Sequence, residues 1–135
     1  MTDIFTLHPQ LAADTIPVSD WALSRVLLMN DARFPWIILV PRRPRLTELH
    51  DLTHPESQVL SDEMRRAAKG LKKITECAKL NIASLGNVVP QLHIHIVARD
   101  PGDAAWPGPV WGKGEPVRYQ SLTREDMVSR LRAGL

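Results

Sequence analysis

The densest chemistry in the chain lies in seven consecutive residues, Gln91-Leu92-His93-Ile94-His95-Ile96-Val97. Successive side chains of a strand point to opposite faces, so Leu92, Ile94, Ile96 and Ala98 share one face and Gln91, His93, His95 and Val97 the other. The first face predicts core. The second predicts an exposed face carrying two imidazoles and an amide. A lone histidine is usually structural, but two of the chain's five histidines at i and i+2 point to a site. A neutral imidazole offers one lone pair and one N–H donor. If a backbone carbonyl holds the N–H, the other nitrogen faces the site and can attack a phosphorus atom or bind a metal. Metal binding by His-x-His needs further ligands. Glu48, Glu56, Glu63, His50 and His54 are the candidates, and no spacing ties them to the pair. The reading without a metal or other cofactor is therefore preferred.

The elements that must position this stretch can be read from periodicity. Ser24 to Asn30 and Trp36 to Val40 are apolar runs joined by Asn30-Asp31-Ala32-Arg33-Phe34-Pro35, turn chemistry that predicts a hairpin. Gln91 to Ala98 is a third strand, and Leu80 to Leu85 a fourth joined to it through Gly86-Asn87. Thr15 to Val18 is a candidate edge strand, since Pro17 lacks a ladder donor. Leu60, Met64, Ala67, Leu71, Ile74 and Ala78 recur at spacings of three and four, which predicts one long helix with one apolar face. Thr53 and Glu56 fit a capping box with Pro55 in the first turn. Asp62 and Glu63 precede Arg65, Arg66 and Lys69 in the order that a helix favours. Cys77 reads as a small buried filler. A second, shorter helix runs from Thr123 to Leu131, at most to residue 133. Between them, four prolines and four glycines mark residues 100–117 as irregular. A hairpin, a long helix and a second strand pair predict an antiparallel sheet of about five strands, with the helix on one face, in an α+β domain spanning 1–135.

Composition excludes several classes. The 135 residues suit one domain, and 44% hydrophobic with 24% charged residues suits a packed globule rather than a disordered chain. No apolar run is long enough to span a membrane. The N-terminus, with Asp3 and Asp14 and no basic-then-apolar pattern, predicts no signal peptide. A single cysteine rules out an internal disulfide, and a cytoplasmic location is expected. The net charge is +2, and the densest basic group, Arg42, Arg43 and Arg45, lacks interleaved aromatics, so no nucleic-acid partner is expected.

The segment Gln91 to Val97 resembles the signature of the histidine triad (HIT) superfamily, His-φ-His-φ-His-φ-φ with φ apolar. The resemblance covers roughly residues 23–99: a strand ending in Asn30, a turn, a strand closing in Leu-Val-Pro (39–41), a long helix, a strand opening near Asn81, a Gly-Asn turn and the signature strand. The Trp106 to Gly112 segment resembles proteobacterial HIT-like members regarded as dinucleoside polyphosphate hydrolases. The resemblance implies a HIT-like fold and nucleotidyl transfer to water at the α-phosphorus of dinucleoside polyphosphates or nucleoside phosphoramidates. By motif position His93 is the nucleophile, and a nucleotidyl-histidine forms on it. His95 hydrogen-bonds phosphate oxygens, and Gln91 offers an amide donor to the same group. Asn30 or Asp31 holds the ribose hydroxyls, and Phe34 borders the base. Asn81 faces the phosphate, with Asn87 and the backbone N–H of Val88 beside it in a turn suited to an anion. Trp106 and Trp111 either pack on the domain or wall the pocket.

Two positions depart from the family pattern. The first triad histidine is Gln91 here, and a further family histidine in the second strand aligns with Trp36. A non-catalytic nucleotide-binding protein is therefore the alternative, and a metal-dependent enzyme using His93 and His95 a third. The resemblance also implies a homodimer, with Val88, Val89 and the Trp106 to Trp111 segment as apolar surface.

Overall fold

The computed structural model describes residues 4–135, so Asp3 lies outside the described residues. One antiparallel sheet of five strands, ordered β1-β2-β3-β5-β4, organises the chain. Its strands are β1 (Thr15–Asp20), β2 (Ser24–Met29), β3 (Trp36–Pro41), β4 (Lys79–Ala83) and β5 (Ile94–Arg99). The predicted hairpin pairs Val26 with Leu39 and Leu28 with Ile37. β1 is the edge strand expected, and its register shifts between Pro17 and Ser19. A proline is tolerated on such an edge strand beside an irregularity, where a missing ladder donor costs least.

Three helices complete the fold: α1 (Pro9–Asp14), α2 (His54–Thr75) and α3 (Ser121–Gly134). Thr53 and Glu56 form the predicted reciprocal cap of α2. The helix stops earlier than the apolar period suggested. Glu76 takes a left-handed conformation, so Ala78 lies outside the helix and leads into β4. Glu63 also departs from expectation. It is buried, and its carboxylate accepts the N–H groups of Leu23 at 3.0 Å and Ser24 at 2.9 Å instead of pairing along the helix surface. Those bonds fasten α2 to the start of β2. α3 is longer than predicted, and Val128 and Leu131 enter the main core.

The sheet is buried on both faces. On one, Ile94, Ile96 and Ala98 join Val26, Leu28, Ile37 and Leu39 under Leu60, Ala67 and Leu71 of α2, as strand alternation predicts. The other face was expected to be open. It carries a second core of Leu27, Trp36, Ile38, Val40 and Val97, covered by Leu7 and Leu11 from the N-terminal segment and by Ala105, Val110 and Trp111 from the irregular segment. The four prolines of residues 100–117 do not loosen the segment, because buried Arg99 ties it down. Its guanidinium donates to both Asp103 carboxylate oxygens, at 2.7 and 3.0 Å, and to the Gly108 carbonyl at 2.8 Å. These charge-assisted bonds hold the second cover over the sheet.

Candidate functional site

β5 begins at Ile94, not at Gln91, so His93 sits in the last loop position before the strand and His95 within it. Both rings lie on the second face of the sheet, and each residue is only 5% exposed. Their rings meet edge to face, with centroids 4.8 Å apart.

Each ring has one nitrogen fixed. The His93 Nδ1–H donates to the Gln91 carbonyl at 2.6 Å. A carbonyl can only accept, so in the neutral ring the lone pair is on Nε2. Trp36 donates its indole N–H to His95 Nδ1 at 3.0 Å. Indole nitrogen can only donate, so His95 is neutral with its proton on Nε2. One ring thus offers a nucleophilic lone pair and its neighbour a donor. Electrostatics agree: burial holds His93 below the usual imidazole range, partly offset by the Gln91 carbonyl. Burial, with the charge of His93, pushes His95 down to about 3.

Trp36 therefore takes over the fixing of His95 at a position where the resemblance expects a histidine. Trp111 closes the other side, with ring centroids 5.3 Å from His95 and 6.0 Å from Trp36. It both packs and walls a pocket, so the two readings of this residue are not exclusive. Trp106 is peripheral, half-exposed beside the Arg99 guanidinium.

Two cavities flank the histidines. One, of about 380 Å³, is lined by Met29, Asn30, Asp31, Trp36, Val88 and Trp111, with Arg33, Lys113 and Arg118 at its margin. Gly114, at φ +62°, lets the wall pass close to Arg33, whose guanidinium donates to the Lys113 carbonyl at 2.7 Å. The other, of about 260 Å³, is polar and lined by Thr47, Glu48, Ser84, Gly86, Asn87, Gln91 and His93. Among the described residues, no acceptor takes the backbone N–H of Asn87 or Val88. That leaves two free donors, one of them on Asn87 in the polar cavity that His93 also lines, a setting suited to an anion.

The remaining expected site residues are only partly free. Asn30 and Asp31 line the larger cavity, but Asn30 Oδ1 accepts the Tyr119 N–H at 2.9 Å. The buried Asp31 carboxylate pairs with Arg33 at 2.8 Å and accepts the Val117 N–H at 3.3 Å. Phe34 does not border the cavity. It is fully buried, edge-on to Trp36, because the turn after Asn30 folds it inward. Asn81 shares the site face, but its Oδ1 is held by Arg99 at 2.7 Å, which leaves only its amide nitrogen. Val88 is exposed as expected, whereas Val89 is buried in the second core. The Gln91 amide faces the N-terminal segment: Oε1 accepts the His8 N–H at 2.8 Å and Nε2 donates to the Thr6 carbonyl at 2.9 Å.

Sequence reasoning missed Arg99 and the N-terminal segment with α1. Arg99 directly follows the alternating strand, and its phase places it on the His95 face, a signal that could have found it. Nothing local marks the N-terminal segment. Among the described residues, no group of three or more His, Cys, Asp or Glu could hold a metal ion, and no helix is long and apolar enough to cross a membrane. The basic group Arg42, Arg43 and Arg45 is used locally in part: Arg42 donates to the Trp21 carbonyl and Arg43 pairs with Glu56.

Comparison with known proteins gives the family and agrees with the fold. A family model described as HIT domain matches residues 11–102. No curated protein matches the chain. Among solved structures, a histidine triad protein from Bradyrhizobium japonicum is 48% identical, with a TM-score of 0.95 over 97% of this chain and 98% of that one. One from Sinorhizobium meliloti is 43% identical, with a TM-score of 0.95 over 97% of each chain. One from Marinobacter aquaeolei is 43% identical, with a TM-score of 0.96 over 98% of this chain and 96% of that one.

Proposed function

The chain belongs to the HIT-domain family, and from that premise we propose that it is a nucleotide hydrolase or nucleotidyl transferase using His93 as its nucleophile. The observation that carries this reading is the His93 Nδ1–H bond to the Gln91 carbonyl, which leaves a neutral ring with its Nε2 lone pair free. That lone pair attacks the α-phosphorus of a dinucleoside polyphosphate or nucleoside phosphoramidate. A P–N bond forms, and the bond to the leaving group breaks with its electron pair going to that group. Positive charge develops on the ring, and the Gln91 carbonyl is placed to stabilise it. Water then attacks phosphorus, gives up its proton and releases the nucleotide from Nε2. Splitting the displacement this way replaces one hard step with two easier ones.

The apolar cavity between Met29, Trp36 and Trp111 suits the nucleoside, and the polar cavity lined by Asn87 and His93 the phosphates. His95, kept neutral with a proton on Nε2, serves as a hydrogen-bond donor to phosphate oxygen and not as an acid. We further propose a homodimer, supported by exposed Ile82 on edge strand β4 and by Val88, and a cytoplasmic location, supported by one buried free cysteine.

One observation favours the non-catalytic alternative: the Gln91 amide is already engaged by Thr6 and His8. The test is to mix the protein with adenosine phosphoramidate or diadenosine tetraphosphate, quench in base and measure intact mass. The expected result is an acid-labile gain of one nucleotide on His93, absent in His93→Ala, with turnover. Nucleotide binding without adduct or turnover selects the alternative. Turnover that survives in His93→Ala refutes His93 as the nucleophile.

A further inference from the structure

Hydrolysis of a nucleotide held on His93 releases a proton, and the histidines of the site have no room for it. During that step His93 Nε2 is bonded to phosphorus, and Nδ1 already carries the hydrogen that goes to the Gln91 carbonyl at 2.6 Å. His95 is equally full: its Nδ1 accepts the Trp36 indole N–H at 3.0 Å, which leaves its own proton on Nε2. Position 91 holds an amide, which does not titrate. In the larger cavity, Asp31 is paired with Arg33 at 2.8 Å, and Asp14 accepts the Gln10 amide at 2.9 Å.

The polar cavity beside His93 supplies what is missing. Among its lining residues Glu48 is the only carboxylate, and His93 the only other titratable group. The loop carrying Glu48 is fastened to the segment carrying His93. The Leu92 N–H donates to the Leu46 carbonyl at 2.9 Å, two positions before Glu48. Asp51 then holds the loop in shape, its Oδ2 accepting the Thr47 and Glu48 N–H groups at 3.2 and 3.0 Å. The 84–87 wall is tied to the same segment, since Ser84 Oγ donates to the His93 carbonyl at 3.3 Å. A cavity of about 260 Å³ with these polar walls has room for water, and Glu48 is exposed to it.

We propose that Glu48 is the general base of the second half-reaction, taking the proton of the water that attacks phosphorus in the nucleotidyl-His93 intermediate. The new P–O bond forms as the P–Nε2 bond breaks, the electron pair of that bond returns to the His93 ring, and the proton passes to the Glu48 carboxylate and from there to solvent. The inference rests on the reading of His93 as nucleophile. It gives Glu48 no part in forming the intermediate, because no water is activated in that step.

The two half-reactions can be timed separately on one protein. Glu48→Gln keeps the size of the side chain and removes the base. Rapid mixing with diadenosine tetraphosphate, a quench in base and intact mass follow the adduct as it forms and decays. In Glu48→Gln the His93 adduct should form at the wild-type rate or faster, because a negative charge has left the phosphate cavity. Its breakdown should slow by about 10²–10⁴-fold, the contribution of a positioned base, so that the adduct accumulates during turnover. Glu48→Asp, which sets the carboxylate back by one methylene, should recover part of the breakdown rate. Breakdown at the wild-type rate in Glu48→Gln overturns the proposal. So does an equal loss in both half-reactions, which marks a residue that only shapes the loop. Absence of any adduct in the wild-type protein is a different outcome: it overturns the nucleophile reading, and this inference with it.

Discussion

Acidification should weaken this fold earlier than its carboxylates would. His95 is buried beneath Trp36 and Trp111, and its pKa is pushed down to about 3 by burial and by the charge of His93. In the unfolded chain an imidazole titrates near 6.5. Between those values the unfolded chain binds a proton that the folded chain refuses, so stability rises with pH through the window and falls as pH drops below about 6.5. One such group changes stability by at most about 1.4 kcal/mol per pH unit, and by less close to the unfolded pKa, so from pH 6.5 to 4.5 His95 alone removes about 2 kcal/mol. His93, also lowered chiefly by burial, adds to the loss in the same direction. Asp103, held at about 2 by Arg99, loses its contribution only as pH falls below about 4, outside this window. The assay is urea denaturation at pH 6.5, 5.5 and 4.5 for wild type and His95→Gln. Glutamine cannot titrate, and its amide oxygen can still accept the Trp36 N–H. The variant should retain only the His93 part of the slope. If the two slopes coincide, His95 is not held neutral by the fold, and its role as a fixed Nε2–H donor fails with it.

Trp36→Phe should leave His95 Nδ1 buried without a donor and cost about 1–3 kcal/mol, in addition to the lost indole packing. Nitrogen-15 NMR of His95 should then show a mixed tautomer, whereas a pure Nε2–H form in the variant would show that Trp36 does not set the proton. Gly70→Ala should destabilise despite alanine's higher helix propensity, because the added Cβ would lie 2.7 Å from Leu135 Cδ2 and 2.9 Å from the Gly134 carbonyl oxygen. Overpacking of this kind costs about 1–3 kcal/mol against a propensity gain of about 1 kcal/mol. A thermal midpoint equal to or above wild type would mean that α2 and α3 do not pack this closely.

Much of this protein is legible locally. The hairpin follows from two apolar runs around a turn, the long helix from its three-and-four spacing and the Thr53 cap, and the nucleophile candidate from alternation around His93. All are properties of a dozen or so adjacent residues, and neighbouring side chains suffice to impose them. What alternation could not tell was whether the histidine face meets water. It identified which side chains share a face correctly, but the cover comes from residues 7 and 11 at one end and 105–111 at the other, neither of which carries a periodic signal of its own. The proton positions were likewise undecidable from sequence. A histidine's tautomer depends on what its second nitrogen touches, and those partners are the indole of Trp36 on a neighbouring strand and a carbonyl in the loop before β5. Gln91 is the clearest case. Read alone, it is a histidine lost. In the folded chain its amide, which donates and accepts at once, grips a segment more than eighty residues away, and only tertiary structure could bring those two backbone groups to it.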